Sequence, residues 1–239
     1  MSDGKGSSGL GTLLVGAAGG AIATVALAIA AVQGGWADQI VRKAMLENPT
    51  ILVETADALR ENQFAPVLAA NRAALETPFG SSWQGARDGD VTLVEFYDYA
   101  CGYCKASLPV VARLVKEDPK LRVVYREFPI LGPESELAAR MALGASKAGR
   151  FMAFHDALYD AGRPSQATLA KAAAAAGVPA AVPSSPEIDG ELRKNFQLAQ
   201  QLGATGTPLF IVGDKVLNGA VGYDALKEAI AAARAANAK

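Results

Sequence analysis

The sequence predicts an α/β fold in which a central mixed sheet is flanked by helices. The first indication is Val91–Tyr97, an almost continuous apolar run that is typical of a strand buried on both faces. Helix-compatible sequence follows as far as Glu117, and Leu121–Phe128 has the character of a second strand. Strand, helix and strand in this order indicate a parallel pair joined by a right-handed crossover. Further downstream, Leu209–Val212 and Lys215–Leu217 are predicted to form a hairpin.

The composition fits one domain of ordinary size with an appendage. The chain has 239 residues, of which 51% are hydrophobic, and this is enough for a substantial core. The formal net charge is −1 and there is no extended basic run, so electrostatics gives no support for a nucleic-acid partner.

The N-terminal stretch predicts a membrane anchor. Residues 6–37 carry no charge, and the segment 10–32 exceeds the roughly 20 residues needed to cross a bilayer. We therefore interpret residues 1–37 as a cytoplasmic tip and an inner-membrane anchor or signal, with the remainder exported. A cleaved signal peptide stays open, because Ala28-Ile29-Ala30 and Gly35-Trp36-Ala37 resemble cleavage sites.

Residues 38–76 have a helical pattern with apolar stripes. Asn48-Pro49 is expected to end one helix and start the next, and Pro66 to break the second. We expect this segment to assemble with copies of itself into a homo-oligomer. Docking on the rest of its own chain, or a loosely ordered spacer, is the alternative. The Gly- and Ser-containing residues 77–90 are interpreted as a linker.

The catalytic part is expected to span residues 91–239 and to contain a helical insertion, residues 132–202. Within the insertion, helices are predicted at Pro133–Lys147, Phe151–Ala161, Thr168–Ala176 and Glu187–Leu202, and a last helix at Tyr223–Ala236. His155, the only histidine, is interpreted as structural.

The only two cysteines form the motif Cys101-Gly102-Tyr103-Cys104, directly after the first strand. If a helix begins at Cys101, the sulfur faces free N–H groups at the positive end of the helix dipole, where a thiolate is favoured over a thiol. Lys105 is placed to add to this effect. Cys104 lies one turn further in and should be more buried. Cys101 is therefore the predicted reacting cysteine, and Cys104 the one that resolves a mixed disulfide.

The cysteine pair has three alternative interpretations. A zinc site needs about four ligands, and His155 is the only other soft ligand in the chain, so no metal is assigned. A structural disulfide across so short a loop gains little stability. A copper(I)-binding dithiol is chemically reasonable for soft thiolates.

A second motif, Gly203-Ala-Thr-Gly-Thr-Pro-Leu-Phe-Ile-Val-Gly, strengthens the interpretation. With it the sequence resembles the DsbA-like thioredoxin-fold thiol:disulfide oxidoreductases. In that family a cis-proline segment opens a strand opposite the cysteine pair, and Thr207-Pro208 matches it. Glu95 matches a buried acidic position, and Pro109 a proline that kinks the active-site helix. The ScsC-like branch, with its extra N-terminal helical segment, is the one the sequence looks most like.

This resemblance implies a thioredoxin-like fold and an enzyme without a cofactor. It implies that Cys101 and Cys104 are catalytic, that Glu95 accepts or relays the proton of Cys104, and that Gly102, Tyr103, Thr207 and Pro208 bind substrate. The expected partners are cysteine-containing exported proteins and a membrane redox partner, with the lipid bilayer contacted through the N-terminal helix. Isomerase and oxidase directions both stay open. A copper(I)-handling or non-enzymatic scaffold protein is the alternative function.

Overall fold

The computed structural model describes residues 35–238, which divide into two units with the boundary between Ala58 and Leu59. The first unit contains helix α1, Trp36–Glu47, and the beginning of helix α2, Thr50–Glu76. Many large apolar side chains of this unit are exposed: Trp36, Ile40, Val41, Met45, Leu46, Ile51, Leu52 and Val53. Among the described residues no helix is both long and apolar enough to cross a membrane. The predicted anchor, residues 10–32, lies outside them.

The second unit is built on a five-stranded mixed sheet in the order β1-β3-β2-β4-β5. Its strands are β1 Trp83–Gly85, β2 Val91–Tyr97, β3 Leu121–Glu127, β4 Leu209–Val212 and β5 Lys215–Asn218. Strands β2 and β3 are parallel along their whole length, as the strand–helix–strand pattern predicts, and β4 runs antiparallel to β2. The predicted hairpin of β4 and β5 is confirmed.

Helices cover the sheet and include the predicted insertion. They are α3 Gly102–Glu117, α4 Pro133–Lys147, α5 Phe151–Ala161, α6 Gln166–Ala176, α7 Pro186–Gln201 and α8 Gly222–Asn237. Because β2 and β3 are buried on both faces, alternate side chains of each strand enter two different cores. One core joins Leu93, Tyr97 and Tyr125 to α3, α5, α6 and α8. The other joins Phe96 and Val124 to α7 and to the second half of α2.

The segment 38–76 differs from its prediction in two ways. From Leu59 onward it belongs to the second unit, where Phe64, Leu68 and Leu75 are buried in the second core. For these residues the alternative, docking on their own chain, is the observed one. Pro66 also does not break α2. Asn62, whose carbonyl Pro66 leaves without its helical donor, is exposed, so this stretch of the helix is open to solvent.

The predicted linker, residues 77–90, is likewise more ordered than its composition indicates. It contains β1, which pairs antiparallel with the outer edge of β3 through Trp83↔Val124 and Gly85↔Arg122. Trp83 also lies beneath the guanidinium groups of Arg87 and Arg122, with ring-to-Cζ distances of 5.7 and 5.9 Å. The interpretation as a plain linker is therefore wrong for the residues of β1.

A buried arginine fixes α2 and α7 to the sheet. Arg126 of β3 donates to Glu191 Oε1 at 2.6 Å and to Asn195 Oδ1 at 3.2 Å, both on α7. Its other donors bind carbonyl oxygens at the end of α2, including Leu75 O at 3.0 Å and Thr77 O at 2.6 Å. Because the last carbonyls of a helix have no partner within the helix, Arg126 caps α2 as well as balancing Glu191.

The core position of α2 is testable by substitution. Leu68 is 1% exposed and Leu59, on the same helix, is 69% exposed. We expect Leu68→Ala to lower the free energy of unfolding by about 2–5 kcal/mol, because it leaves a cavity. Leu59→Ala should change it by no more than about 0.5 kcal/mol. Denaturant unfolding of both variants measures this, and equal effects would mean that the second half of α2 is not part of the core.

Candidate active site

The end of β2 and the start of α3 place the cysteine motif. The N–H of Cys101 donates to Asp98 O at 3.0 Å, and the N–H of Lys105 donates to Cys101 O at 3.1 Å, which begins the helix. Cys101 is thus the N-cap residue of α3, as predicted. The side chain of Cys101 is 7% exposed, whereas that of Tyr103, two residues later, is 70% exposed. The motif therefore presents Gly102 and Tyr103 at the surface, with Cys101 just beneath.

The segment before β4 lies against Cys101. The Sγ of Cys101 donates to the backbone O of Thr207 at 3.3 Å. The peptide bond between Thr207 and Pro208 is cis, which confirms the prediction. Pro208 O accepts from the N–H of Gly219 at 2.8 Å, so the end of β5 supports this segment. The structure therefore brings Cys101 and Thr207 together, while Pro208 is buried beside them.

Cys104 is fully buried, and the two thiols are not joined in a disulfide. Burial raises the pKa of the Cys104 thiol well above its ordinary value, and the charge of Glu95 raises it further. Hydrogen bonding to the backbone of Asp98 and to the side chain of Thr207 offsets part of this. Cys104 is therefore a protonated thiol at neutral pH, as befits a group out of contact with solvent.

Glu95 lies in the middle of β2, between Tyr125 of β3 and Phe210 of β4. It is 2% exposed, and its Oε2 has no hydrogen-bond partner among the described residues. Burial, and secondarily the charge of Cys101, raise the pKa of its carboxyl from an ordinary 4.5 to about 8. A buried carboxyl with an unsatisfied oxygen is costly, and such groups are concentrated at functional sites.

Two further residues hold the motif, and sequence reasoning did not assign them. The carboxylate of Asp98 accepts backbone N–H groups from both sides of the site, and Tyr159 of α5 donates its hydroxyl to Asp98 O at 3.3 Å. Lys105 donates from Nζ to Tyr159 O at 2.7 Å. Asp98 was visible in the sequence as a polar residue after an apolar strand, but its partners were not.

His155 is buried, as its structural interpretation implies. Its ring packs against Tyr125 with 4.9 Å between ring centroids, and its Nδ1 lies 2.9 Å from Asp156 Oδ1. In the part of the chain that the structure describes, no three or more His, Cys, Asp or Glu side chains are grouped so as to hold a metal ion. The titratable side chains that the structure brings together at the site are two thiols and one carboxyl.

Comparison with known proteins identifies the class. The profile of the DSBA-like thioredoxin domain matches residues 92–231, which include both cysteines and Pro208. The chain belongs to this family. Proteins of this family are thiol:disulfide oxidoreductases of thioredoxin-like fold.

Solved structures agree with this assignment. A thioredoxin-like oxidoreductase from Silicibacter pomeroyi is 38% identical, with a TM-score of 0.63, and the match covers 69% of this chain and 98% of that one. A periplasmic thioredoxin-like protein from Salmonella enterica serovar Typhimurium is 33% identical, with a TM-score of 0.64 over 69% of this chain and 95% of that one. A linker-deletion variant of Proteus mirabilis ScsC is 29% identical, with a TM-score of 0.67 over 86% of this chain and 96% of that one.

Two curated relatives are much longer proteins. The Na(+)/H(+) antiporter NhaA 3 of Salinispora tropica is 29% identical over 159 residues, which are 63% of this chain and 24% of the antiporter. NhaA 1 of Salinispora arenicola is 35% identical over 77 residues, or 31% of this chain and 12% of the antiporter. The chain thus spans a quarter or less of the length of these antiporters.

The raised pKa of Glu95 predicts how stability depends on pH. The folded protein holds this proton up to about pH 8, whereas the ordinary pKa is 4.5. Between these values the folded state binds more protons than the unfolded one, so this group makes stability fall as pH rises through the window. We expect Glu95→Gln to become more stable than the wild type, by a few kcal/mol, as pH rises from about 5 to 9.

Urea unfolding of the reduced proteins across this pH range measures the difference. Glu134→Gln is the matched control, because Glu134 is exposed on α4 and its loss should leave the pH dependence of the wild type unchanged. A constant difference between Glu95→Gln and the wild type would show that Glu95 does not titrate in this window.

Proposed function

We propose that the chain is an exported enzyme that exchanges disulfides with cysteine-containing client proteins through Cys101 and Cys104. The observation that carries this proposal is the pairing of a thiol at a helix start, Cys101, with a buried thiol one turn later, Cys104. A client disulfide reaches Cys101 from the surface that Tyr103 and Thr207 line. The periplasmic location stated for the Salmonella relative supports export.

The two sulfur atoms have different roles. Cys101, at the positive end of the α3 dipole, attacks a client disulfide as a thiolate and displaces one client thiolate, or is itself attacked as half of a disulfide. Either route gives a mixed disulfide between Cys101 and the client. In the first route Cys104 attacks the Sγ of Cys101, which closes the protein disulfide and releases the client as a dithiol. In the second route a second client thiol attacks the client sulfur of the mixed disulfide, which leaves the client oxidised and releases Cys101 beside the free Cys104. Two electrons pass between the protein and its client in each cycle.

Glu95 is the proposed proton acceptor for Cys104. One cause of its raised pKa is the charge of Cys101. When Cys101 enters a mixed disulfide it loses that charge, so Glu95 becomes a stronger acid and ionises more readily near neutral pH. The carboxylate then accepts the proton of Cys104, whose thiolate is the attacking group. A pKa near the working pH is the favourable condition for such a transfer.

Thr207 and Pro208 are the proposed binding edge for the client backbone. Proline has no N–H, so the segment before β4 leaves neighbouring backbone groups free to pair with an extended client strand. Gly102 and Tyr103, exposed on the facing side, complete this surface. The direction of exchange, oxidation or isomerisation, depends on the membrane redox partner that resets the pair. Residues 10–32, by their composition, are the proposed anchor in the inner membrane.

The division of roles between the cysteines predicts a trapping experiment. Cys104→Ala should accumulate mixed disulfides between Cys101 and reduced, unfolded client proteins in oxidised glutathione, because the neighbouring thiol that resolves them fastest is removed. Cys101→Ala is the matched control and should accumulate few. Non-reducing electrophoresis followed by mass spectrometry identifies the linked cysteine. Equal trapping by the two variants would contradict the assignment of Cys101 as the reacting cysteine.

We propose a homo-oligomer that is held together by residues 38–58, because the residues from Leu59 onward belong to the second unit. Its apolar side chains on α1 and early α2 are exposed, and a second copy of the segment would bury them. Several active sites on one assembly favour isomerisation, because a wrong client disulfide is attacked and re-formed without release.

Light scattering tests this assembly. The double substitution Leu46→Glu and Leu52→Glu should convert the oligomer to a monomer at micromolar concentration, because both side chains are more than half exposed, 73% and 53%, and would lie in the buried interface. Arg42→Glu, on the same helix as Leu46, changes the net charge by the same amount and should leave the mass unchanged. A monomeric wild-type protein would refute the proposal.

A further inference from the structure

Asp98 is buried directly after β2, and its carboxylate has more partners than a turn requires. Its Oδ1 accepts the N–H of Ala100 at 2.8 Å. Its Oδ2 accepts the N–H groups of Ile130 at 2.8 Å and Leu131 at 2.9 Å. The carboxylate therefore links the turn before Cys101 to the loop that follows β3.

The backbone of Asp98 contacts both cysteines. Its carbonyl accepts the N–H of Cys101 at 3.0 Å, and Cys104 is hydrogen-bonded to its backbone as well. The hydroxyl of Tyr159 binds the same carbonyl at 3.3 Å, and Lys105 binds the carbonyl of Tyr159 at 2.7 Å. Tyr159 thus holds the chain on both sides of Cys101, and Asp98 is the residue where these contacts meet.

This arrangement limits how the two sulfur atoms move relative to each other. A disulfide has an S–S distance of about 2.05 Å and a narrow range of torsion angles. Two thiols that are held close to this geometry close the bond with a high effective concentration, and loosening them lowers it. The sequence alone does not indicate this restriction of the two sulfur atoms, because Ile130, Leu131 and Tyr159 are far from the motif along the chain.

We propose that Asp98 is a positioning residue for disulfide exchange, which holds Cys101 in place over Cys104 through the active-site turn. The inference rests on the proposed function. Without the carboxylate, three N–H groups lose their acceptor and the turn loosens, while both thiols and Glu95 remain. The protein disulfide then closes less favourably, and mixed disulfides with Cys101 last longer.

The equilibrium with glutathione measures this effect. In that reaction the dithiol of Cys101 and Cys104 gives two electrons and two protons to oxidised glutathione, which yields the protein disulfide and two molecules of glutathione. Asp98→Ala should lower the equilibrium constant for disulfide formation by about tenfold, because the effective concentration of the paired thiols falls. Tyr159→Phe, which removes only the hydroxyl that binds Asp98 O, should lower it by about threefold.

The matched control is Asp90→Ala. Asp90 immediately precedes β2, as Asp98 follows it, so it lies at the opposite end of β2 from the motif, where Arg234 binds it at 2.8 Å. Its loss should lower the melting temperature and leave the glutathione equilibrium unchanged. Asp98→Asn, which keeps one acceptor oxygen, should lie between Asp98→Ala and the wild type.

A structural role alone would lower the melting temperature of the Asp98 and Tyr159 variants without changing their equilibrium constants, and that result would overturn the proposal. If Asp98→Ala does not fold, Asp98→Asn and Tyr159→Phe decide the question. Exchange with a client protein is measured separately with the wild type. A wild type that equilibrates with glutathione but exchanges with no client would refute the proposed function and leave the role of Asp98 to be judged on the variants.

Discussion

Two acidic groups, the carboxyl of Glu95 and the thiol of Cys104, are buried together with no cation among the described residues balancing them. Burial raises the pKa of each, and the negative charge of Glu95 raises that of Cys104 further. Ionising both at once in a medium of low polarity is unfavourable, so their protons are coupled. This constraint explains why the two cysteines differ. In the proposed cycle, Cys101 reacts at the helix start, and Cys104 becomes reactive only later, when Glu95 is able to accept its proton.

Elsewhere in the second unit, a buried charge that only supports the fold has several hydrogen-bond partners. Arg126 is as buried as Glu95, yet it is bound by Glu191, Asn195 and the carbonyl oxygens that end α2. Removing one partner from such a network leaves an uncompensated charge, so the network holds β3, α2 and α7 in one arrangement. Glu95, by contrast, keeps an oxygen without a partner. The buried guanidinium that supports the fold is thus hydrogen-bonded on several sides, whereas the buried carboxyl at the site is not, and this difference suits the proposed proton exchange by Glu95.

Much of this could be predicted from the sequence because the signals are local. The apolar run of β2, the helix start at Cys101 and the hairpin of β4 and β5 each lie within a few residues, and the structure confirms them. Resemblance to a known family supplied the cis bond before Pro208 and the burial of Glu95. Local sequence patterns did not predict the parts of the structure that depend on contacts with residues distant in the sequence. Strand β1 is three residues long and forms only because the edge of β3 accepts it. The apolar stripe of α2 indicates that the helix packs against another surface, but it does not identify that surface. The contacts of Asp98 depend on the N–H groups of Ile130 and Leu131, which lie in another loop.

The reduction potential of the wild-type protein decides whether Cys101 and Cys104 are a redox-active pair or a structural one. Titration of the full chain in glutathione buffers, read by thiol alkylation and mass spectrometry, should give a reversible two-electron transition. We expect a potential between about −270 and −120 mV, the range of thiol–disulfide exchange catalysts. A potential below about −300 mV, as structural disulfides have, or the absence of a reversible transition would contradict it.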